Sequence, residues 1–440
     1  MKRAAEKQLL NWYQSTGRKP LVLKGARQVG KSTLVRNFAK ANSLKLMEIN
    51  FEKTKLVSLH REEFNLKDVL LEIESIFQEK ITKTTLLFLD EIQTDPRAVW
   101  ALRYFYEERP DLAVIGAGSL LDVALEAAGI PFPVGRISYF HLGPMTFSEY
   151  LIASGKEQYA KCVLDGDLKD YNHERLLEEL KKFMFIGGMP KAVSTFIETS
   201  SMEEVRKVHQ DIFLGYVNDF PKYGKRLNLD RLEHVFQKIP MQLGKKIIFQ
   251  HLDRESKSIE NKKAFEILVK AGVIMPAYHT DASGIPLKAG IDHTILKAYF
   301  LDTGLVNHIH ELSWKSFNEL FDGELFTKGL IAEQFIAQHL AFPSEGHSPP
   351  ELLFWLRDKS NQKAEVDFIL QREMTILPIE VKSQKGGHLK SLIYFSKEKK
   401  ISEAIKFSKE FVGQEILDVG EGKTLKVRNL PLYAVESIMR

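Results

Sequence analysis

Two stretches of this 440-residue chain combine residue types that could do chemistry. The first is GARQVGKS, Gly25 to Ser32, joined downstream by the apolar run TLLFLDE, Thr85 to Glu91. Glycines let a backbone fold tightly enough for successive N–H groups to face one anion. A helix starting at the end of the loop adds the positive end of its dipole. Lys31 is the residue to reach terminal phosphates, and the Ser32 hydroxyl and Asp90 are oxygen ligands suited to Mg²⁺. Glu91 is placed to orient or deprotonate an attacking water. Gly25, Ala26, Arg27, Gln28, Val29, Gly30, Lys31, Ser32 and Thr33 are therefore expected to bind ATP, and the acidic pair favours hydrolysis over binding alone.

The second stretch is EVDFIL, Glu365 to Leu370, followed after QREMT by LPIEVKS, Leu377 to Ser383. The spacing of Asp367 and Glu380 suits two hairpin-paired strands. Strand side chains alternate faces, so Glu380 and Lys382 share one face and Ile379 and Val381 the other. Upstream, FTKGLIAEQFIAQHL reads as an amphipathic helix whose apolar positions Glu333 interrupts. Two converging carboxylates, Asp367 and Glu380, could hold Mg²⁺ and set a water against phosphate. Lys382 would steady the hydroxide or the phosphate. The same residues also suit an ordinary hairpin with a solvated polar face, or a fold that grips nucleic acid without cutting it.

These residues need elements to position them. LVLKG, KLMEINF, TLLFLDE and LAVIGAG read as strands, with helical patterns between them. That alternation predicts a parallel α/β sheet over 1–150. From 151 to 225 the sequence turns helical and charge-rich, broken by FIGGMPKAV, whose glycines fit a tight turn. Short helices and two strand-like runs over 226–312 suggest a winged helix. A separate α/β domain is expected over 313–440.

Two further residues keep competing readings. Ser119, closing the fourth strand in GAGS, is either a γ-phosphate sensor or a helix N-cap. Arg136, in PVGRISYF, could reach the nucleotide of a neighbouring subunit, a role for which Arg27, Arg103 and Arg109 also compete. KYGKR and KGGHLKSLIYFSKEKK carry clustered lysines that suit either a phosphate-tracking groove or a solvated face.

In order along the chain, GARQVGKSTL, FLDEIQ, GR…LGPMTFSEY, FIGGMPKAV, YFLDTGL and EVDF…IEVKS resemble prokaryotic AAA+ ATPases of the AAA_14/DUF4143 type. The resemblance spans nearly the whole chain. It implies an AAA+ core, a helical lid, a winged helix and a restriction-endonuclease-like domain. It also implies assembly into a ring, usually of six subunits. The family comparison places Glu333, Asp367, Glu380 and Lys382 on the core positions of a PD-(D/E)XK site. One departure is visible: a TGS-like strand end is commoner than GAGS.

Bulk properties bound these readings. Apolar residues make up 44% of the chain, enough for real cores. The formal charge of +4 permits nucleic-acid binding without arguing for it. The single cysteine, Cys162, excludes an intramolecular disulfide. Histidines lack metal-ligand spacing, so no zinc site is expected. No apolar run is long enough for a membrane helix and the start does not read as a signal peptide, so a soluble cytoplasmic protein is expected. The function expected is an Mg²⁺-dependent ATPase ring that acts on DNA, including branched or junction DNA. The alternatives are an ATP-regulated metal-dependent endonuclease and a signalling or scaffold ATPase that binds protein.

Overall fold

A computed structural model describes residues 1–439 except 131–132, 134, 224–227, 254–256, 323–328, 343–345, 347–348, 360–361 and 383–388. Five N-terminal strands, β1 (Leu21–Lys24), β2 (Lys45–Asn50), β3 (Thr85–Asp90), β4 (Ala113–Gly118) and β5 (Ser138–His141), form one sheet in the order β2-β3-β4-β1-β5. Every neighbouring pair is parallel. The runs TLLFLD and AVIGAG are buried along their whole length, as strands covered on both faces must be.

Side-chain alternation divides this sheet's apolar residues between two cores. Val22, Met47, Leu87, Leu89 and Val114 pack with the helices Leu66–Phe77 and Pro96–Glu108. Leu21, Leu23, Leu86, Phe88 and Ile115 join a second core that continues through the rest of the chain to Ile438. The glycines of GAGS have a steric cause. A Cβ at Gly116 would lie 2.8 Å from Ile92 Cδ1, and one at Gly118 would lie 2.5 Å from Gln93 Oε1. The two residues that follow the FLDE strand end therefore need a bare neighbouring strand.

FIGGMP and YFLDTGL meet in space. Gly187 and Gly188 join the helices Asp170–Ile186 and Pro190–Thr199. Gly187 has φ 74°, and a Cβ there would sit 2.1 Å from Asp302 Oδ1. The Gly188 N–H donates to Asp302 Oδ2 at 2.5 Å, while the Gly188 carbonyl accepts from Met145 N at 2.6 Å. Asp302 also accepts from Leu305 N and so caps the helix Thr303–Ile309. Burial pushes its carboxyl up to about 6, against the hydrogen bonds it accepts.

Two more sheets follow. β6 (Ile274–Thr280), β7 (Ile291–Phe300), β8 (Leu352–Lys359) and β9 (Gln362–Val366) form one in the order β7-β6-β8-β9. β10 (Phe368–Arg372), β11 (Thr375–Val381), β12 (Glu403–Ser408), β13 (Gly413–Gly420) and β14 (Lys423–Pro431) form the other, ordered β10-β11-β12-β14-β13. The β6–β7 hairpin expected within 226–312 thus shares its sheet with strands from beyond residue 313, because β6 pairs in parallel with β8. Asp367 is the single residue between β9 and β10, at the corner where the chain changes sheets.

The helix Leu330–Ala341 differs from the amphipathic pattern expected of it. Every residue from Gln334 to Ala341 is buried. Its polar side chains serve main-chain groups instead of solvent. Gln334 pairs with both the N–H and the carbonyl of Phe300, and Gln338 accepts from Thr303 N. His339 Nε2 accepts from Phe147 N at 3.0 Å, and burial holds this ring down to about 4, hence neutral. Among the described residues, no helix is long and apolar enough to cross a membrane.

Candidate functional site

The loop between β1 and the helix Lys31–Ala41 opens on a cleft of about 730 Å³. Arg27, Gln28, Gly30, Lys31, Ser32, Thr33 and Glu91 line it, together with Arg3, Met145, Pro190 and Lys191. Gly25 and Gly30 adopt φ values of 151° and 92°, which side-chain-bearing residues rarely do. Lys31 Nζ donates to the Gly25 and Ala26 carbonyls, both at 2.9 Å. Burial lowers its ammonium to about 8, against the opposing pull of Glu91 and Asp90.

Asp90 ends β3 beside the loop, and Ser32 Oγ donates to Asp90 Oδ2 at 2.9 Å. Burial raises this carboxyl, a cost that a bound cation would relieve. A hydroxyl and a carboxylate brought together at the foot of a phosphate-sized cradle fit Mg²⁺, which favours oxygen ligands. Glu91 follows at φ 54°, an uncommon conformation for a side-chain-bearing residue, and its carboxylate accepts from Gln93 Nε2 at 2.5 Å. Its side chain lines the same cleft as Lys31.

The other candidates fall elsewhere. Ser119 is buried and lines a second cleft of about 210 Å³ behind the loop, with Lys24, Asp122, His141 and Phe342. Arg136 pairs with Glu107 at 3.1 Å on the surface, 45% exposed. Arg27 stays in the wall of the first cleft: its guanidinium pairs with Asp219, and its carbonyl accepts from Tyr216 on the same helix, Met202–Asp219.

Sequence reasoning missed Arg3. Its guanidinium donates to Val29 O at 3.0 Å, Gly143 O at 2.8 Å and the Glu149 carboxylate at 2.8 Å, clamping the loop from outside. The available signal was TFSE. There Thr146 and Glu149 form a reciprocal helix cap, whose buried carboxylate needs a cation. Lys191 was also missed, because GGMPK was read for its glycines alone.

The C-terminal residues do converge. Asp367 Oδ2 accepts from Val381 N at 2.8 Å, continuing the β10–β11 ladder past its last strand pair. Lys382 Nζ pairs with Glu380 Oε1. Glu333 Oε1 accepts from Tyr299 Oη and lies 3.4 Å from Lys297 Nζ, which also pairs with Glu365. Lys297 and Tyr299 come from β7, so the cluster is closed by a strand that the sequence pattern had assigned to another domain. Burial raises Asp367 well above the usual carboxylate range, reinforced by Glu380 and Glu333, and raises Glu380 despite Lys382.

Asp367, Glu333 and Glu380 each have one oxygen engaged by an N–H, a phenol or an ammonium, and Glu380 Oε2 is a buried oxygen without a hydrogen-bond partner. Among the described residues, no three His, Cys, Asp or Glu side chains stand close enough to share a metal ion. The residues 383–388, which hold Ser383 and the first half of the lysine-rich stretch, lie outside the described residues, as do 224–226 of KYGKR.

Three family models match the chain. An AAA domain, AAA_14, covers residues 17–151. A domain of unknown function, DUF8612, covers 177–316. A second, DUF4143, covers 328–431. No curated protein matched the sequence. Among solved structures, the Walker-type ATPase PabY2304 of Pyrococcus abyssi is similar at 16% identity and a TM-score of 0.45, over 70% of this chain and 94% of that one. The Aeropyrum pernix ORC2 protein is similar at 12% identity and a TM-score of 0.34, over 73% and 93%. The Thermotoga maritima RuvB Holliday junction branch migration motor is similar at 14% identity and a TM-score of 0.31, over 62% and 87%.

Proposed function

We propose that this chain, which belongs to the AAA+ ATPases of the AAA_14/DUF4143 type, couples ATP hydrolysis to gripping and remodelling DNA. The observation that carries the ATPase half is the cleft lined by Lys31, Ser32 and Glu91, with Asp90 held beneath it by Ser32. In this reading the loop N–H groups and Lys31 bind the phosphates. Ser32 and Asp90 hold Mg²⁺, which offsets charge on the phosphate oxygens when bound. Glu91, steadied by Gln93, takes a proton from the attacking water. Arg136, at the surface, is our assignment for the residue that reaches a neighbour's nucleotide in a ring. Ser119, which follows β4 and shares the second cleft with the loop residues Gly25 and Ala26, is our assignment for the γ-phosphate sensor.

The DNA half rests on the C-terminal two-thirds. We read the helix Ser258–Lys270 with the β6–β7 hairpin as a winged helix. The strands β10 to β14 with the helix Leu330–Ala341 form a restriction-endonuclease-like fold in this reading. Convergence of Glu333, Asp367, Glu380 and Lys382 supports it. Holding DNA is the role proposed; cutting would need a metal, and among the described residues no group of three His, Cys, Asp or Glu side chains is arranged to hold one.

The test is ATP turnover and electrophoretic shift of the purified full chain with single-stranded, duplex and four-way DNA. Binding to at least one form, with faster ATP turnover when bound, is the expected result. No shift with any form at low salt would remove DNA from the proposal and leave the ATPase.

A further inference from the structure

We infer that Arg3 and Tyr216 are positioning residues of the ATP site: each holds one carbonyl of the phosphate loop and so aims the N–H of the same peptide unit at the phosphates. Both lie outside residues 17–151, the stretch that the AAA domain matches.

The loop cannot set these directions alone. Gln28 and Gly30 have φ values of 63° and 92°, in the left-handed region, and glycine turns there with little steric resistance. The peptide unit Arg27–Gln28 ends on the first of them and Val29–Gly30 on the second. Such a unit rotates as a rigid plate unless a group outside the loop holds it. In a trans unit the carbonyl and the N–H point opposite ways, so fixing one fixes the other.

Both units are held. Tyr216 Oη donates to Arg27 O at 2.7 Å, and Arg3 Nη1 donates to Val29 O at 3.0 Å. Among the described residues, neither the Gln28 N–H nor the Gly30 N–H donates to a main-chain acceptor, which leaves both donors for an anion.

The two holding groups are themselves fixed. Arg3 Nε donates to Glu149 Oε2 and Nη2 to Gly143 O, both at 2.8 Å, with 9% of the Arg3 side chain and 5% of the Glu149 side chain exposed. A planar guanidinium carries these bonds and the one to Val29 together, whereas a lysine would present its donors from a single atom. A Cβ at Gly30 would lie 3.8 Å from Arg3 Nη1, so the cation stands beside the unit it orients. Tyr216 is buried on the helix Met202–Asp219, its ring centroid 6.0 Å from that of Phe236.

The experiment separates aiming the loop from merely pinning the N-terminal helix, Ala5–Gln14, to the core. Dissociation constants of mant-ATP and mant-ADP are measured on the full chain, together with KM and kcat for ATP. Tyr216→Phe removes one hydroxyl and should weaken both nucleotides about threefold. Arg3→Met combined with Glu149→Gln, which strands no buried charge, should weaken both about tenfold, with KM rising more than kcat falls. Leu9→Ala takes packing from the helix Ala5–Gln14 but no hydrogen bond from the loop, and should leave both constants within about 1.5-fold of the parent. Affinity within about 1.5-fold of the parent in Tyr216→Phe or in the Arg3 variant overturns the assignment of that residue. A Leu9→Ala protein that loses as much affinity as the Arg3 variant overturns it for Arg3, because pinning the helix would then be enough. Where the double variant does not fold, Arg3→Lys takes its place and keeps a charge for Glu149. It should weaken both nucleotides about threefold or more, and parent-like affinity overturns the assignment of Arg3.

Discussion

Lys31 and Lys297 are both buried, yet the two regions treat them in opposite ways. Lys31 donates to two main-chain carbonyls at the edge of an open cleft. A carbonyl offers a dipole, which an incoming phosphate with full charge can outbid. Lys297 faces carboxylates that carry that full charge already. Both regions hold the same residue types, acids beside a lysine. What separates them is who satisfies the lysine. A site meant for an anionic ligand keeps its cation on weak partners, whereas the C-terminal cluster closes its charges on one another.

The largest effect that bears on this contrast is Lys31→Ala. ATP turnover should fall roughly 1,000-fold or more, with the circular dichroism spectrum unchanged. Near-normal turnover would mean that the cleft's cation is not the one acting on phosphate. Glu91→Gln comes next. It should lower kcat about 100-fold while leaving the mant-ATP Kd within a few-fold, and an unchanged kcat would reject Glu91 as the base. Gly187→Ala asks whether the turn that leads into the cleft residues Pro190 and Lys191 is as tightly fixed as the closed cluster. With a Cβ 2.1 Å from Asp302 Oδ1, it should cost about 3 kcal/mol in urea unfolding. A cost below about 0.5 kcal/mol would show that the Asp302 contact yields easily.

The smallest effect is one of pH. Lys31 is lowered to about 8 by burial, so its ammonium is present below that pH and lost above it. Nucleotide affinity, read as mant-ATP Kd, should therefore weaken several-fold between about pH 7.5 and pH 9.5, tempered by the bound phosphates' own pull on the proton. The linkage for folding runs the other way. A lysine whose folded value lies below its unfolded one destabilises the fold while charged, a penalty relieved as pH rises from about 8 toward 10.5. Opposite slopes for binding and stability over that window would identify Lys31 as the titrating group.

The nucleotide site was legible because its residues sit in short contiguous runs whose strand, loop and helix follow one another. GARQVGKS and FLDE need only one sheet to bring them together, and the burial of TLLFLD was visible in its unbroken apolar run. The C-terminal cluster was legible only in part. Asp367 and Glu380 could be paired because a hairpin joins them. Lys297 and Tyr299 could not, because their contact with Glu333 depends on how β7 packs against a distant helix, which no local pattern encodes. The polar side chains of that helix misled in the same way. Gln334, Gln338 and His339 look like a solvent face by type, yet each serves a main-chain group within the core.

That helix, Leu330–Ala341, spans the distance between the two regions compared above. One end brings Glu333 to Lys297; further along, Gln338 reaches Asp302, which holds the GGMP turn, and His339 takes the N–H that opens the helix at Phe147. From Gln334 to Ala341 this helix has no side chain in water. Moving it breaks several buried hydrogen bonds in the same instant, with no water at hand to replace them. Any displacement of this helix would have to give up buried bonds at both of its ends.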